Sequence, residues 1–271
     1  MSIVPLEAAT SLAEHGGKAV HLGAALRAGL PVPGGVAVSV VSLARLVKGD
    51  PGETDALRRA LASVKFPVAC RSSAVDEDGE AASFAGQHAT ILNVTDVPSV
   101  LAALGEVHAS AHTEAALAYR KKLGMTPEVR IAAVVQTLVD PESAGVLFTR
   151  HPVTGADERV VEAAWGLGEV VVQGLVTPDH YRVARDGRVL ESRPGEKDLA
   201  IRRAPGGRTV EEDVARDLVN ARCLDDALLR RLNDLATRAE AHFGGGLDLE
   251  WAKAGNDLHL LQARPISTGR R

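Results

Sequence analysis

Two cysteines in 271 residues, Cys70 and Cys223, are too few and too far apart for a disulfide framework, and no CxxC pair offers zinc ligands. No run of eighteen apolar residues occurs, so no membrane-spanning helix is expected. The opening MSIVPLEAAT lacks a basic region followed by an apolar core, so no secretory signal is read and the expected location is cytoplasmic. A formal net charge of −4 gives no reason to expect a nucleic-acid partner. Short basic pairs such as Lys121-Lys122 and Arg230-Arg231 read as solvated helix faces. Fixed repeats and low-complexity tracts are also missing.

The common nucleotide and catalytic motifs are absent too. GGKA at 16–19 lacks the earlier glycine and the following Ser or Thr of a P-loop. GLGEVV at 166–171 has Val171 where a third dinucleotide-binding glycine would stand. There is no GxSxG elbow, HExxH or kinase HRD set.

What is present is an ordinary globular composition, 45% hydrophobic and 24% charged, long enough for one large domain or two small ones. Apolar spacing predicts a helix over 17–30, stopped by Gly29 and Pro31, and a strand in GGVAVSV. A long alanine-rich helix is expected from about Asp96 to Leu123, closed by Gly124, and another helical block from Glu211 to Phe243. Between them VRIAAVVQTLV, AGVLFT, RVVEAAW, HYRVA and GRVLES read as strands joined by turns. Mixed helices and hairpins without regular βαβ units argue an α+β fold. Cys70, in FPVAC, reads as a buried small hydrophobe.

Two stretches carry candidate chemistry. CRSSAVDEDGEAASFAGQHAT, residues 70–90, sets an arginine and two serines on an apolar strand before a small-residue loop with Gly86. It is either a phosphate site or a strand–turn–strand of ordinary polarity. In GLDLEWAKAGNDLHLLQARPI, alternation puts Leu247, Leu249 and Trp251 on one face and Asp248 and Glu250 on the other. On the return strand Leu260, Gln262 and Arg264 are expected to share a face. A turn centred near Asn256 would pair Glu250 with Gln262. A carboxylate and an amide oxygen side by side suit magnesium, and Arg264 suits a phosphate or pairs with Glu250. The alternative is a solvent-facing polar row.

Four segments taken together resemble the ATP-binding domain of the phosphoenolpyruvate synthase, pyruvate phosphate dikinase and rifampicin phosphotransferase group. They are GGKAVHLGAALRAGLPVPGG, VACRSSAVDEDGEAASFAGQHATILNV, AGVLFTRHPVTG with EAAWGLGEVVVQGLVTPDHY, and DLEWAKAGNDLHLLQARPI, in the family's order and over most of the chain. The resemblance implies an ATP-grasp, one nucleotide-binding domain over 1–271 whose two lobes, about 1–134 and 135–271, clamp ATP between antiparallel sheets. It implies that Lys18 and Arg71 contact phosphates, and that Gly86 and Thr90 line them. Gln136, with backbone groups near Leu138, would hold adenine. Glu250 and Gln262 would be magnesium and nucleotide ligands with Arg264 beside them, so Lys18, Arg71 and Arg264 would carry the catalytic charge neutralisation. The implied cofactors are ATP and Mg2+. Glu162 and the GLGE turn resemble a family segment beside the phosphate end, with no contact assigned. Lys197 resembles a family lysine and is read equally as functional or as surface.

Departures from the family pattern narrow the inference. His151 stands in FTRHP where the family has Asp or Asn, and is read as a satisfied loop histidine, with a local acceptor or a phosphate contact as alternatives. The span between the Lys18 segment and Arg71 is shorter than usual. None of the nine histidines lies in the family's phosphohistidine motif, GG-x-x-SH-x-A. The expected partners are therefore a separate phosphohistidine domain or subunit and a small-molecule acceptor, with no nucleic acid and no membrane. A self-sufficient ATP-grasp kinase or ligase and a non-catalytic ATP-binding module are the alternative functions.

Overall fold

Two short stretches of chain change allegiance, and hydrogen bonds explain both. The computed structural model describes residues 3–75, 89–122 and 129–266, which pack as two units. The first is Met1–Arg27, Pro33–Leu138 and Ala204–Arg208; the second is Ala28–Val32, Val139–Arg203 and Thr209–Arg271. Residues 28–32 go with the second because the Leu260 N–H donates to the Pro31 carbonyl (2.9 Å) and Arg238 to the Gly29 carbonyl (2.6 Å). Residues 204–208 go with the first because the Asn93 amide donates to the Ala204 and Arg208 carbonyls (2.8 and 2.6 Å).

The first unit runs β1 (Ile3–Pro5), α1 (Leu12–Arg27), β2 (Gly35–Val38), α2 (Val40–Val47), α3 (Pro51–Leu61), β3 (Val68–Ala74), β4 (Thr90–Val94), α4 (Val97–Ser110), α5 (Glu114–Lys122) and β5 (Ile131–Thr137). Its antiparallel sheet is ordered β1-β2-β5-β3-β4. Alternation puts Val36, Val38, Val68, Cys70, Ile131, Ala133 and Val135 on one face, packed on Leu43, Leu46, Leu57, Leu61, Val100, Leu104 and Val107 of α2, α3 and α4. Burial pushes the Cys70 thiol up to about 12, as suits an inert core cysteine. Ser39, Asp50 and Asp96 cap α2, α3 and α4 through their side-chain oxygens, each cap contributing about 1 kcal/mol. The opposite face receives α1, which packs on β3 and β5.

The single helix expected from Asp96 to Leu123 is two. Thr113 Oγ1 donates to the Ser110 carbonyl and accepts from the Ala116 N–H, both at 3.2 Å, ending α4 and capping α5. Such local bonds compete with the helical ladder.

The second unit runs β6 (Ser143–Phe148), β7 (Glu158–Trp165), α6 (Glu169–Val172), β8 (Asp179–Ala184), β9 (Val189–Arg193), β10 (Leu199–Arg203), β11 (Thr209–Asp213), α7 (Arg216–Val219), α8 (Asp226–Phe243), β12 (Leu247–Ala254) and β13 (Asp257–Pro265). Six strands form an antiparallel sheet in the order β13-β12-β6-β7-β8-β9, and β10 pairs with β11 separately. The helical block expected from Glu211 therefore starts too early. Glu211 and Glu212 pair with Ile201 and Ala200, and the long helix begins only at Asp226, capped by Asp225. An exposed polar strand such as β11 owes its conformation to its neighbour, which leaves no apolar period to read.

One face of the six-stranded sheet buries Leu147, Val161, Tyr181, Leu249, Trp251 and Leu260 to 1% exposure or less. Helix α8 packs on β12 and β13 and turns Leu228, Leu229, Leu232 and Leu235 inward. Arg159, on this face, is fully enclosed. Its guanidinium pairs with Glu240 (2.7 Å) and donates to Asn233 and Thr237, all on α8, and to the Thr149 carbonyl. A charge so desolvated is tolerated only when every donor is used. Among the described residues, no helix is long and apolar enough to cross a membrane.

Candidate functional site

In the first unit the candidate residues gather on the α1 face of the sheet. Arg71 lies directly opposite Thr90 on β4 and Val134 on β5, so Arg71 and Thr90 are cross-strand neighbours. Arg71 is 9% exposed. Two residues along β3, ~7 Å away on the same face, stands Ser73. Its hydroxyl donates to the His15 carbonyl (2.7 Å) and accepts from the Ala19 N–H (3.0 Å). Gly16 makes this possible. Its φ of 72° interrupts α1, and a Cβ there would lie 2.1 Å from the Ser73 carbonyl oxygen. Only glycine fits. The helix restarts immediately after it with Lys18 in its first turn, so one serine fixes the Lys18 turn to the strand that carries Arg71.

Gln136 shares this face, opposite Ala69 and Gly35, but its amide donates to the Pro33 carbonyl (2.9 Å) and is 3% exposed. The Leu138 N–H donates to the Pro67 carbonyl (2.9 Å). Of the backbone groups expected to meet a base near Leu138, that N–H is therefore committed elsewhere. Gly86 lies outside the described residues.

In the second unit the Glu250–Gln262 pairing is present in the ladder, by a route unlike the one expected. The turn is the two residues Gly255 and Asn256, with Ala254 opposite Asp257. That register alone would set Glu250 against Leu261. A bulge between Glu250 and Trp251 on the ladder leaves Leu261 extra and restores the Gln262 pairing. The bulge also corrects the face assignment. Leu260 opposes Trp251 in the core, while Gln262 and Arg264 lie with Glu250 and Asp248 on the other face. Arg264 pairs with Asp248, through Nε at 2.9 Å and a terminal nitrogen at 2.7 Å. Burial pushes the Asp248 carboxyl above its ordinary range, Arg264 draws it back, and Glu250 adds repulsion. Asp248 Oδ1 is buried without a hydrogen-bond partner.

Following the ladders from β13 to β9 gives one continuous row: Gln262, Glu250, Val146, Glu162, His180, Arg193. A neighbouring row on the same face is Arg264, Asp248, Phe148, Val160, Arg182, Glu191. Arg182 is occupied by Glu158, through two bonds of 2.9 Å, and by Glu191 at 3.2 Å. Asp248 and the Glu162–His180 pair were not assigned roles from sequence; strand alternation alone signals Asp248, while Glu162 and His180 need the ladder.

Lys197 is neither surface nor substrate-facing. It is fully buried and paired with Asp179, which also accepts from the Gly195 and Cys223 N–H groups and the Tyr181 hydroxyl (2.8, 2.8 and 2.9 Å). Burial pushes Asp179 up, but Lys197 and those donors outweigh it and hold the carboxyl below its ordinary range. His151 is a satisfied loop histidine, its Nδ1 accepting from the Val153 and Thr154 N–H groups (3.2 and 3.3 Å).

Each unit thus sets polar side chains on one sheet face, Arg71, Ser73 and Gln136 in the first and Asp248, Glu250, Gln262 and Arg264 in the second. Residues 52–271 match the family described as "Pyruvate phosphate dikinase, AMP/ATP-binding domain". A probable phosphoenolpyruvate synthase of Methanothermobacter thermautotrophicus is 37% identical over 300 residues, covering 93% of this chain and 44% of that protein. One from Archaeoglobus fulgidus is 36% identical over 302 residues, covering 94% and 40%. A rifampicin phosphotransferase of Streptomyces sviceus is 34% identical over 296 residues, covering 93% and 34%. The chain belongs to the pyruvate phosphate dikinase AMP/ATP-binding domain family. It spans less than half the length of these relatives.

Proposed function

We propose that this chain binds Mg-ATP as the nucleotide component of a phosphoenolpyruvate-synthase-like phosphotransferase. In this reading the ATP β-phosphoryl group passes to a histidine on a separate domain or subunit and then to a small molecule, releasing AMP and phosphate. The observation that carries it is the Glu250–Gln262 pair beside Asp248–Arg264 on a half-exposed sheet face, in a member of an AMP/ATP-binding domain family.

The donor set fits magnesium. Glu250 offers carboxylate oxygens and Gln262 an amide oxygen, and Asp248 adds a buried oxygen with no hydrogen-bond partner. A bound magnesium would neutralise phosphate charge as the transfer proceeds. Arg264, held by Asp248, would take a phosphate oxygen alongside it. Lys18 and the helix start after Gly16 would meet further phosphate charge, with Arg71 and the Thr90 hydroxyl next to them. The Leu138 carbonyl remains the group for the base amino, its N–H being committed. Phosphoryl transfer asks for alignment and charge neutralisation more than covalent chemistry, and these residues supply both.

Calorimetry with Mg-ATP, combined with nucleotide analysis of the same sample, tests the reading. Saturable binding that Glu250→Ala abolishes is expected, with AMP appearing only when a histidine-bearing domain of a relative is added. Steady ADP or AMP release by the chain alone would rule out the separate-histidine reading.

A further inference from the structure

The sheet face that carries Glu250 and Gln262 extends two strands beyond them, and its far end is uncommitted. Glu162 stands in the same transverse row as Glu250, with Val146 between. His180 is the next member, its Nδ1 3.9 Å from a Glu162 oxygen, too long for a hydrogen bond. The other carboxylates of this face are spoken for: Asp248 by Arg264, Glu158 and Glu191 by Arg182. Among the described residues, no group but His180 lies within ion-pair range of Glu162, whose side chain is 37% exposed.

Strand spacing gives the scale. Two strands separate Glu162 from Glu250 by roughly 10 Å. A nucleophile poised for attack lies ~3–3.5 Å from the phosphorus, and a hydrogen bond to it adds roughly 2.8 Å. A phosphoryl group bound at the Glu250 end therefore leaves its attacking nucleophile within reach of Glu162.

We propose that Glu162, with His180 behind it, is the acceptor end of the transfer site and receives the N–H of an acceptor imidazole. The inference rests on the nucleotide reading of Glu250 and Gln262. The ring nitrogen without a proton gives its lone pair to phosphorus and forms the P–N bond. The bond from the β phosphorus to the α–β bridging oxygen breaks and its electron pair leaves with AMP, and water then cleaves the β–γ linkage to release phosphate. The proton on the other ring nitrogen stays in its hydrogen bond to Glu162, whose negative charge offsets the positive charge developing on the ring. His180 is a positioning residue that keeps the Glu162 carboxylate turned along the row.

Imidazole is the probe. It is titrated into the chain saturated with magnesium and α,β-methylene-ATP, whose α–β bridge cannot be cleaved, and the His180 ring C–H signal is followed by NMR. Its assignment comes from His180→Asn. A saturable shift is expected, with Glu162→Gln weakening the imidazole several-fold, because the amide oxygen still accepts the N–H but without the charge. Calorimetry on the same variant should show the nucleotide itself much less affected. A wild-type signal that does not saturate, or an equal affinity in Glu162→Gln, overturns the proposal. Saturation by methanol in place of imidazole also overturns it and assigns the end to a hydroxyl acceptor. Failure of the nucleotide analogue to bind is read separately by calorimetry, and overturns the nucleotide reading together with the acceptor site built on it.

Discussion

Gly16 and His15 are adjacent, and each constrains the Lys18 turn by a different physical route. Gly16 has φ 72° and sits against the Ser73 carbonyl, so Gly16→Ala faces both left-handed strain and a backbone clash. A loss of at least ~2 kcal/mol is expected in urea unfolding. Nucleotide affinity should fall with it, because the Ser73 anchor of the turn is lost. A variant as stable as the parent would refute this account. His15 is 4% exposed with neither ring nitrogen hydrogen-bonded, and burial holds its pKa below the ordinary 6.5 against the opposing Glu14 carboxylate. The unfolded chain therefore takes up a proton before the folded one does. Stability is full above about pH 6.5 and falls as the pH drops from there towards the folded pKa, by at most ~1.4 kcal/mol per unit. Urea midpoints between pH 7.5 and 5.5 should fall less steeply in His15→Leu than in the parent; parallel slopes would show that His15 contributes nothing.

At the scale of elements, the C-terminal hairpin shows how little separates a working face from a buried one. Leu261 is the extra residue of the bulge, and leaving it unpaired is what keeps Gln262 opposite Glu250. Deleting Leu261 should let the pairing run unbroken from the Gly255–Asn256 turn with Gln262 still opposite Glu250 and Arg264 still opposite Asp248, and so leave Mg-ATP affinity in place. Gln262→Ala, by contrast, should lower Mg-ATP binding at least about tenfold while the α8 face keeps Leu260 against Trp251. Retained affinity in Gln262→Ala would mean that the Glu250–Gln262 pairing is not what binds the nucleotide.

Element boundaries were legible where a local signal existed. Strand β5 falls within the stretch read from alternation and turn residues, and β6, β7, β8 and β9 each overrun theirs by a single residue. The break between α4 and α5 depends on one threonine hydroxyl, and β11 on a partner strand, so apolar period misread both. Helices α2 and α3 carry their start signals in the caps Ser39 and Asp50, but at 8 and 11 residues they are too short for a sustained apolar period.

For the whole molecule, the consequence of nucleotide binding is thermodynamic linkage. Mg-ATP at a hundredfold excess over its Kd should raise stability by about 2.7 kcal/mol. The melting temperature should rise with Mg-ATP in the parent and not in Glu250→Ala, and an equal rise in both would show that Glu250 takes no part in binding.

Residue identity and spacing alone determined the α+β class, the polar alternation around Glu250, and a four-segment resemblance that family membership bears out. These are local or collinear properties, so the chain displays them before it folds. Only the tertiary structure decided that Arg264 answers to Asp248, that Ser73 holds the Lys18 turn, that Lys197 is buried against Asp179, and that Glu162 and His180 continue the row begun by Gln262 and Glu250. Each joins residues distant in sequence or depends on a strand register, which is set by packing and by one extra residue in a hairpin.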